Sequence, residues 1–319
     1  MPTAADTTRP PRRLDDVPGW FPVLDQTLFS WFLGRQESAG LRGDLLEVGV
    51  YMGKSAIFTG RHLGDGERFT VCDLFEGDAP DTANHAESAK SYGSLTRRAF
   101  EANYLSFHAA LPRVLQGPSS LVPDEVATDS CRFVHIDGSH LYEHVRDDIT
   151  AARDVLVPGG VVVLDDFRSE HTPGVSVAAW EAVLNKGLRP ICLSTQKLYA
   201  TWDDPTDVQD KLLAMVRGRD DCHLSVQEAA GQRLIRVKSK GMRAPEFPLS
   251  RHAAAPETVE PKAPAPAAPA TPATPVEAAA PAAPRRRRSR ARRLAVDLLP
   301  PLVTRAVRNA RAHRHAPAR

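Results

Sequence analysis

Two short runs of β-type residues each end on carboxylates, Cys131-Arg-Phe-Val-His-Ile-Asp137 and Gly160-Val-Val-Val-Leu-Asp-Asp166. Between them lie a helix-like stretch and the turn signal Val157-Pro-Gly-Gly160. Strand, helix and strand at this spacing predict a βαβ unit, whose crossover makes the two strands parallel neighbours. Their carboxyl ends then share the sheet edge at which open α/β sheets bind ligands. Three carboxylates on one edge repel one another unless a cation or bound protons offset their charge. Two readings stand at this point. One is a divalent metal site built from Asp137, Asp165 and Asp166; the other is a set of separate capping and solvated carboxylates.

The alternation extends along the chain. Helical spacing of Phe21, Leu24, Leu28, Trp31 and Phe32 predicts an amphipathic leading helix over 20–36. Leu45-Leu-Glu-Val-Gly-Val50 reads as a buried strand followed by a helix over 54–63, and Arg68-Phe-Thr-Val-Cys-Asp73 as a second strand. A polar stretch over 76–91 breaks the rhythm as a loop over the site. Helical residues to about Phe107 lead to a weaker third strand over 114–117. After the carboxylate-ended strands come a helix over 177–186 and a closing antiparallel pair, 189–193 and 197–202. One more hairpin, 223–227 with 233–238, ends the pattern. The expected fold is α/β: a doubly wound, mostly parallel, Rossmann-like sheet with an antiparallel closing strand.

Composition divides the 319 residues unevenly. From about Arg251 to Pro284 the chain is almost entirely Ala, Pro, Thr, Val and Glu, a low-complexity linker. From Arg285 to the end there are twelve Arg, no Lys and one Asp, so a formal total of +2 conceals an acidic body and a strongly basic tail. The expected organisation is an N-terminal disordered segment (1–15), one domain (16–240), a linker (241–284) and a basic tail (285–319). In the tail, Leu302, Val303, Ala306, Val307 and Ala310 share one helical face opposite Arg305, Arg308 and Arg311. Such a helix suits an anionic membrane or nucleic-acid phosphates, or the tail serves only to solubilise. No aromatic residue occurs in it to stack on bases. Cys72, Cys131, Cys192 and Cys222 stand singly, which argues against zinc or a disulfide framework. With no apolar run of signal-peptide or membrane-spanning length, the expected location is cytoplasmic, with peripheral membrane contact through the tail as a further possibility.

The segment Glu47-Val-Gly-Val-Tyr-Met-Gly-Lys-Ser55 follows the first strand. It is not a P-loop, because three residues rather than four separate Gly49 from Gly53. Nor is it the dinucleotide fingerprint, since Tyr51 stands where the second glycine belongs. It resembles instead the first motif of class I S-adenosylmethionine-dependent methyltransferases. Asp73 matches the acidic residue those enzymes place on the ribose hydroxyls, and Gln116-Gly-Pro-Ser119 matches the loop beside the adenine.

Leu46-Glu-Val-Gly-Val-Tyr-Met-Gly-Lys-Ser55, His135-Ile-Asp-Gly-Ser-His140 and Leu164-Asp-Asp-Phe167 narrow the resemblance. They are similar to the branch holding macrocin-type sugar O-methyltransferases and cephalosporin-hydroxylase-like proteins. The likeness spans roughly Trp20 to Lys238. It implies cofactor contacts from Glu47, Gly49, Tyr51, Gly53, Ser55, Asp73, Gly117, Ser119 and Asp137. It implies Mg²⁺ on Asp137, Asp165 and Asp166, although the middle position is often Glu in that branch. Catalysis then falls to Asp137 and His140, with His140 as base and His144 and His171 as rivals. The implied activity is methyl transfer from S-adenosyl-L-methionine to a hydroxyl of a small molecule, a sugar or glycosylated metabolite, and an oligomer is possible. The alternatives are a non-methylating, hydroxylase-associated member of the fold and a binding protein acting through its tail.

Overall fold

The computed structural model describes residues 9–77 and 95–253. Most of the loop expected over 76–91, the basic tail and most of the linker lie outside the described residues.

Nine strands form one sheet in the order β3-β2-β1-β4-β5-β7-β6-β9-β8. The first five, β1 (Asp44–Val48), β2 (Phe69–Asp73), β3 (Arg113–Gln116), β4 (Cys131–Ile136) and β5 (Leu156–Leu164), run parallel. Next come β6 (Arg189–Leu193) and β7 (Leu198–Thr201), with β7 antiparallel to both β5 and β6. The hairpin β8 (Cys222–Ala229) and β9 (Gln232–Ser239) joins the same sheet through a parallel β6–β9 pairing. The doubly wound sheet with an antiparallel closing strand is therefore present, and the second hairpin widens it.

Side chains alternate between the two faces of each strand. Leu45, Phe133, Val161, Val163 and Tyr199 pack toward one layer, with α1 (Val23–Ser38), α2 (Lys54–Gly60), α3 (Arg97–Phe107) and α7 (Thr206–Arg217). Leu46, Val134, Ile136, Val162, Leu164 and Ala200 pack toward the other, with α5 (Tyr142–Val155) and α6 (Pro173–Asn185); a short α4 (Val122–Glu125) lies beside α5. Helix α7 is absent from the sequence-based expectation. The Val157–Gly160 segment is also different from the expected turn. Leu156 pairs with Cys131 and Val161 with Phe133, so four residues of β5 loop out opposite Arg132 alone. The glycines permit this bulge, Gly159 taking φ +81°.

The domain is longer than 16–240. Leu14 is buried in a single 3₁₀ turn (Leu14–Asp16). Ser250 is buried too, donating its amide to Arg12 O and its hydroxyl to Pro11 O, while Arg251 donates its amide to Ser106 O. Met242 is buried, and Phe247 stacks on Phe58 with centroids 5.4 Å apart. The residues 9–15 and 241–253 thus belong to the packed body, because each end covers apolar surface that the other leaves open. All four cysteines are free. Among the described residues no helix is long and apolar enough to cross a membrane.

Arg132 is buried in β4, with Nε 3.0 Å from Glu67 Oε1 and Nη2 2.9 Å from Glu67 Oε2. It also donates to Gln36 Oε1 at 3.1 Å. Removing one partner of such a buried pair strands the other's charge. Arg132→Met is expected to lower unfolding free energy by roughly 3–5 kcal/mol, measured by urea denaturation; a change under about 1 kcal/mol would show the pair contributes little.

Candidate active site

Strand order reverses between β1 and β4, the switch point where ligands bind at the carboxyl edge. A cavity of about 1270 Å³ opens there. Its wall includes Gly49–Tyr51 after β1, Asp73 at the end of β2, Gly117–Ser120 after β3, Asp137–His140 after β4, and Asp165 and Asp166 after β5. At the rim Trp20, 65% exposed, stacks on Tyr51 at 5.7 Å.

Strand register brings the acidic groups together. Val48 lies opposite Ile136, Ile136 opposite Leu164, and Leu164 opposite Leu198. The next residues along β1, β4 and β5 are Gly49, Asp137 and Asp165, and the residue before Leu198 is Lys197. Because β7 runs antiparallel, its first end reaches the edge where the parallel strands finish. Lys197, 1% exposed, forms a short ion pair with Asp165 Oδ2, and its Nζ stands 3.1 Å from His135 Nε2. His135 Nδ1 in turn is 3.1 Å from Glu47 Oε1, which also accepts a short bond from the Ser55 hydroxyl. Asp25 of α1, fully buried, accepts from Tyr199 Oη at 2.7 Å.

Each of the three carboxylates expected to hold a metal has its own set of partners. Asp165 has Oδ2 on Lys197 and Oδ1 accepting the Asp166 amide at 2.7 Å, so it is committed to the protein. Burial works to raise the Asp165 carboxyl, but the Lys197 ammonium and His135 outweigh it and hold the carboxyl low. Burial pushes the Asp137 carboxyl well up, and the Asp165 charge beside it adds to the shift. Burial would lower the Lys197 ammonium, yet the charges of Asp165, Asp137 and Asp25 raise it instead. The crowded carboxyls thus sit beside one buried ammonium. Two sets of ligand-type atoms lie within 4.8 Å of one another, Asp137 with His140 and Asp166 and Asp137 with His135 and Asp165, and Asp165 borders the cavity as well. His140 Nε2 is 3.0 Å from Asp166 Oδ2. Asp166 holds a left-handed backbone, φ +52°, which an Asp tolerates better than most side chains and which is common where function over-determines geometry.

Other predicted residues fall into two groups. Gly49, Tyr51, Ser55, Asp73, Gly117, Ser119 and Asp137 border the cavity, whereas Glu47 and Gly53 do not. Glu47 is fully buried on the α1 face, because strand alternation turns it away from the edge toward His135. Gly53, φ +91°, starts α2, and a Cβ there would stand 2.9 Å from the Phe100 ring, so its requirement is packing and not closeness to a ligand. At Gly49 a Cβ would meet the Asp137 carbonyl oxygen at 2.1 Å, which makes glycine obligatory between β1 and β4. Asp73 receives backbone amides from Val50 and Tyr51 on Oδ2 (2.7 and 3.0 Å) and from Phe75 on Oδ1 (2.7 Å). It therefore shapes the loop as well as facing the cavity. His144 and His171 also line the cavity, with Nδ1 of each 2.9 Å from Ser139 Oγ and Ser169 Oγ respectively.

Residues 46–167 match the family described as a methyltransferase domain. The matched segment runs from β1 to the residues just after β5. It contains the parallel strands β1–β5, and the antiparallel closing strand expected from the sequence pattern follows it in the chain. Among solved structures, the O-methyltransferase NovP shares 19% identity over 55% of this chain and 78% of its own, with a TM-score of 0.47. CalS11, a TDP-rhamnose 3'-O-methyltransferase of calicheamicin biosynthesis, shares 19% identity over 57% and 82%, at 0.38. TomG from Streptomyces achromogenes, an O-methyltransferase of tomaymycin synthesis, shares 18% over 69% and 79%, at 0.31. No curated protein sequence matches the chain.

Lys197, His135 and Asp25 were not among the site residues expected from the sequence. A Lys leading a strand reads as an ordinary polar end, and only the register reveals its partner. Lys197→Met is expected to destabilise the fold by roughly 3–5 kcal/mol by leaving Asp165 without its counter-charge. Adding Asp165→Asn should recover much of that loss in the double variant. Equal and additive losses in chemical denaturation would show that the pair is not coupled.

Proposed function

We propose that this methyltransferase transfers the methyl group of S-adenosyl-L-methionine to a hydroxyl of a small molecule, a sugar or glycosylated metabolite being the class favoured by the sequence resemblance. The observation that carries this reading is the Asp137–His140–Asp166 cluster, set on the same cavity wall as the loops after β1, β2 and β3. The cofactor occupies the side formed by those loops, and the acceptor enters beneath the exposed Trp20 rim.

A hydroxyl is a weak nucleophile until its proton is removed. His140 takes that proton, and Asp166 orients the imidazole and stabilises its protonated form across their 3.0 Å contact. The acceptor oxygen then attacks the methyl carbon in line, the carbon–sulfur bond breaks with its electron pair passing to sulfur, and the products are a methyl ether and S-adenosylhomocysteine. Holding the two reactants in this line supplies much of the rate enhancement.

Asp137 and Asp166 are the oxygen donors that would hold a divalent cation, with the His140 imidazole kept for the proton. A cation there supplies positive charge that favours the deprotonated acceptor oxygen. Lys197 already balances Asp165, so the cation has less charge to neutralise than three free carboxylates would demand.

Full-length protein incubated with S-adenosyl-L-methionine and a panel of glycosides should yield a methyl ether detectable by mass spectrometry. His140→Ala is expected to lower turnover about 10²–10⁴-fold while binding S-adenosylhomocysteine within about threefold of the wild type. Unchanged turnover would remove His140 from the chemistry.

A further inference from the structure

Two side chains at the rim of the cavity, Trp20 and Lys54, have no part in the reaction above. Single exposed apolar residues are ordinary on a protein surface. Trp20 differs in being held in place. Pro18 and Pro22 restrict the backbone on either side of it, and its ring, 65% exposed, lies on the Tyr51 ring at an interplanar angle of 29°. Tyr51 in turn holds φ +47°, a left-handed conformation uncommon for a residue with a side chain. Such geometry persists where the surroundings over-determine it, and it clusters at ligand sites. The indole is thus a fixed, open platform on the cavity rim.

Lys54 is the only Lys or Arg among the described residues that wall the cavity, where Asp73, Asp137, Asp147, Asp165 and Asp166 also stand. It opens α2 beneath the Trp20 segment: a Cβ added at Gly19 would lie 3.6 Å from Lys54 Cβ and 3.5 Å from the Tyr51 ring. Unlike Lys197, the half-buried Lys54 has neither an ion pair nor a hydrogen bond among the described residues. Burial lowers its ammonium, and the charges of Asp15 and Asp16 work the other way without contact. Asp16 Oδ2 is already taken by the amides of Arg12 and Arg13, each at 2.8 Å. A cation that has shed part of its water and gained no partner is ready to pair with an anion that a ligand brings. One ammonium among several acids matches a single negative charge and disfavours a polyanion.

On the proposed methyltransferase reading, we infer that the acceptor is an acidic glycoside, one of whose rings lies flat on Trp20 while its carboxylate pairs with the Lys54 ammonium. The two contacts are neighbours at the rim, so together they fix one end of the acceptor and leave its hydroxyl for His140 on the same cavity wall. The cavity, about 1270 Å³, exceeds the roughly 300–1,000 Å³ of an ordinary small-molecule pocket and has room for such an acceptor beside the cofactor.

The test is calorimetric titration into the full-length chain saturated with S-adenosylhomocysteine, comparing p-nitrophenyl β-D-glucuronide with p-nitrophenyl β-D-glucoside, which differ only in the carboxylate. Wild type is expected to bind the glucuronide on the order of 10-fold more tightly. Lys54→Met keeps the apolar stem and removes the charge, so the preference should vanish, whereas Lys54→Arg should retain it. Trp20→Ala should weaken both glycosides by roughly 3–10-fold and leave their ratio unchanged. A wild type that binds the two alike, or binds neither, overturns the inference without need of a variant. So does a Lys54→Met protein whose loss falls on S-adenosylhomocysteine, because the ammonium then serves the cofactor's own carboxylate. Failure of the wild type to bind S-adenosylhomocysteine removes the methyltransferase reading itself; intact binding of it with no preference for the glucuronide removes this inference alone.

Discussion

A single buried ammonium allows the carboxyl edge of this sheet to exist as it does. Three aspartates end two adjacent parallel strands, and the like charges of Asp137 and Asp165 are brought side by side by the register of β4 and β5. Coulomb repulsion at such spacing in a partly dry site costs several kcal/mol at an effective dielectric of about 20. Lys197 meets it at the start of β7, which runs antiparallel to its neighbour β5. The cost of burying that ammonium is offset by Asp165 and by the nearby charges of Asp137 and Asp25.

Function follows from how this neutralisation divides the acidic residues. Asp165 is bound to the protein on both oxygens and anchors the strand ends. Asp137, Asp166 and His140 border the cavity with their ligand-type atoms within 4.8 Å of one another, the set on which the proposed reaction rests. The chain His135–Glu47–Ser55 extends the same network under the first loop, so the residues of the first motif are tied to the reacting end through buried polar contacts.

Much of this was legible in the sequence, and the limits have physical causes. Strand runs ending in Asp73, Asp137 and Asp165 could be placed on one edge because parallel strands in an open sheet all finish there. Gly49 could be picked out by its place in the first motif, but the reason for glycine there, the Asp137 backbone lying against it, shows only in the packing of β1 beside β4. Glu47 was misplaced because a motif resemblance does not say which face of the sheet a strand residue points to, while the alternation of buried neighbours does. Lys197 was invisible because its partner lies 32 positions earlier, on a strand whose pairing no local pattern encodes. The packing of residues 241–253 against residues 9–15 was hidden by a composition that already resembled linker.

The most direct measurement is calorimetric titration of S-adenosyl-L-methionine into the full-length chain, run in parallel on Asp166→Asn and followed by assay of methyl transfer in both. The account predicts saturable binding of equal strength in the two proteins, with methyl ether formed only by the wild type. Absence of saturable binding to the wild type, or undiminished transfer by Asp166→Asn, would contradict it.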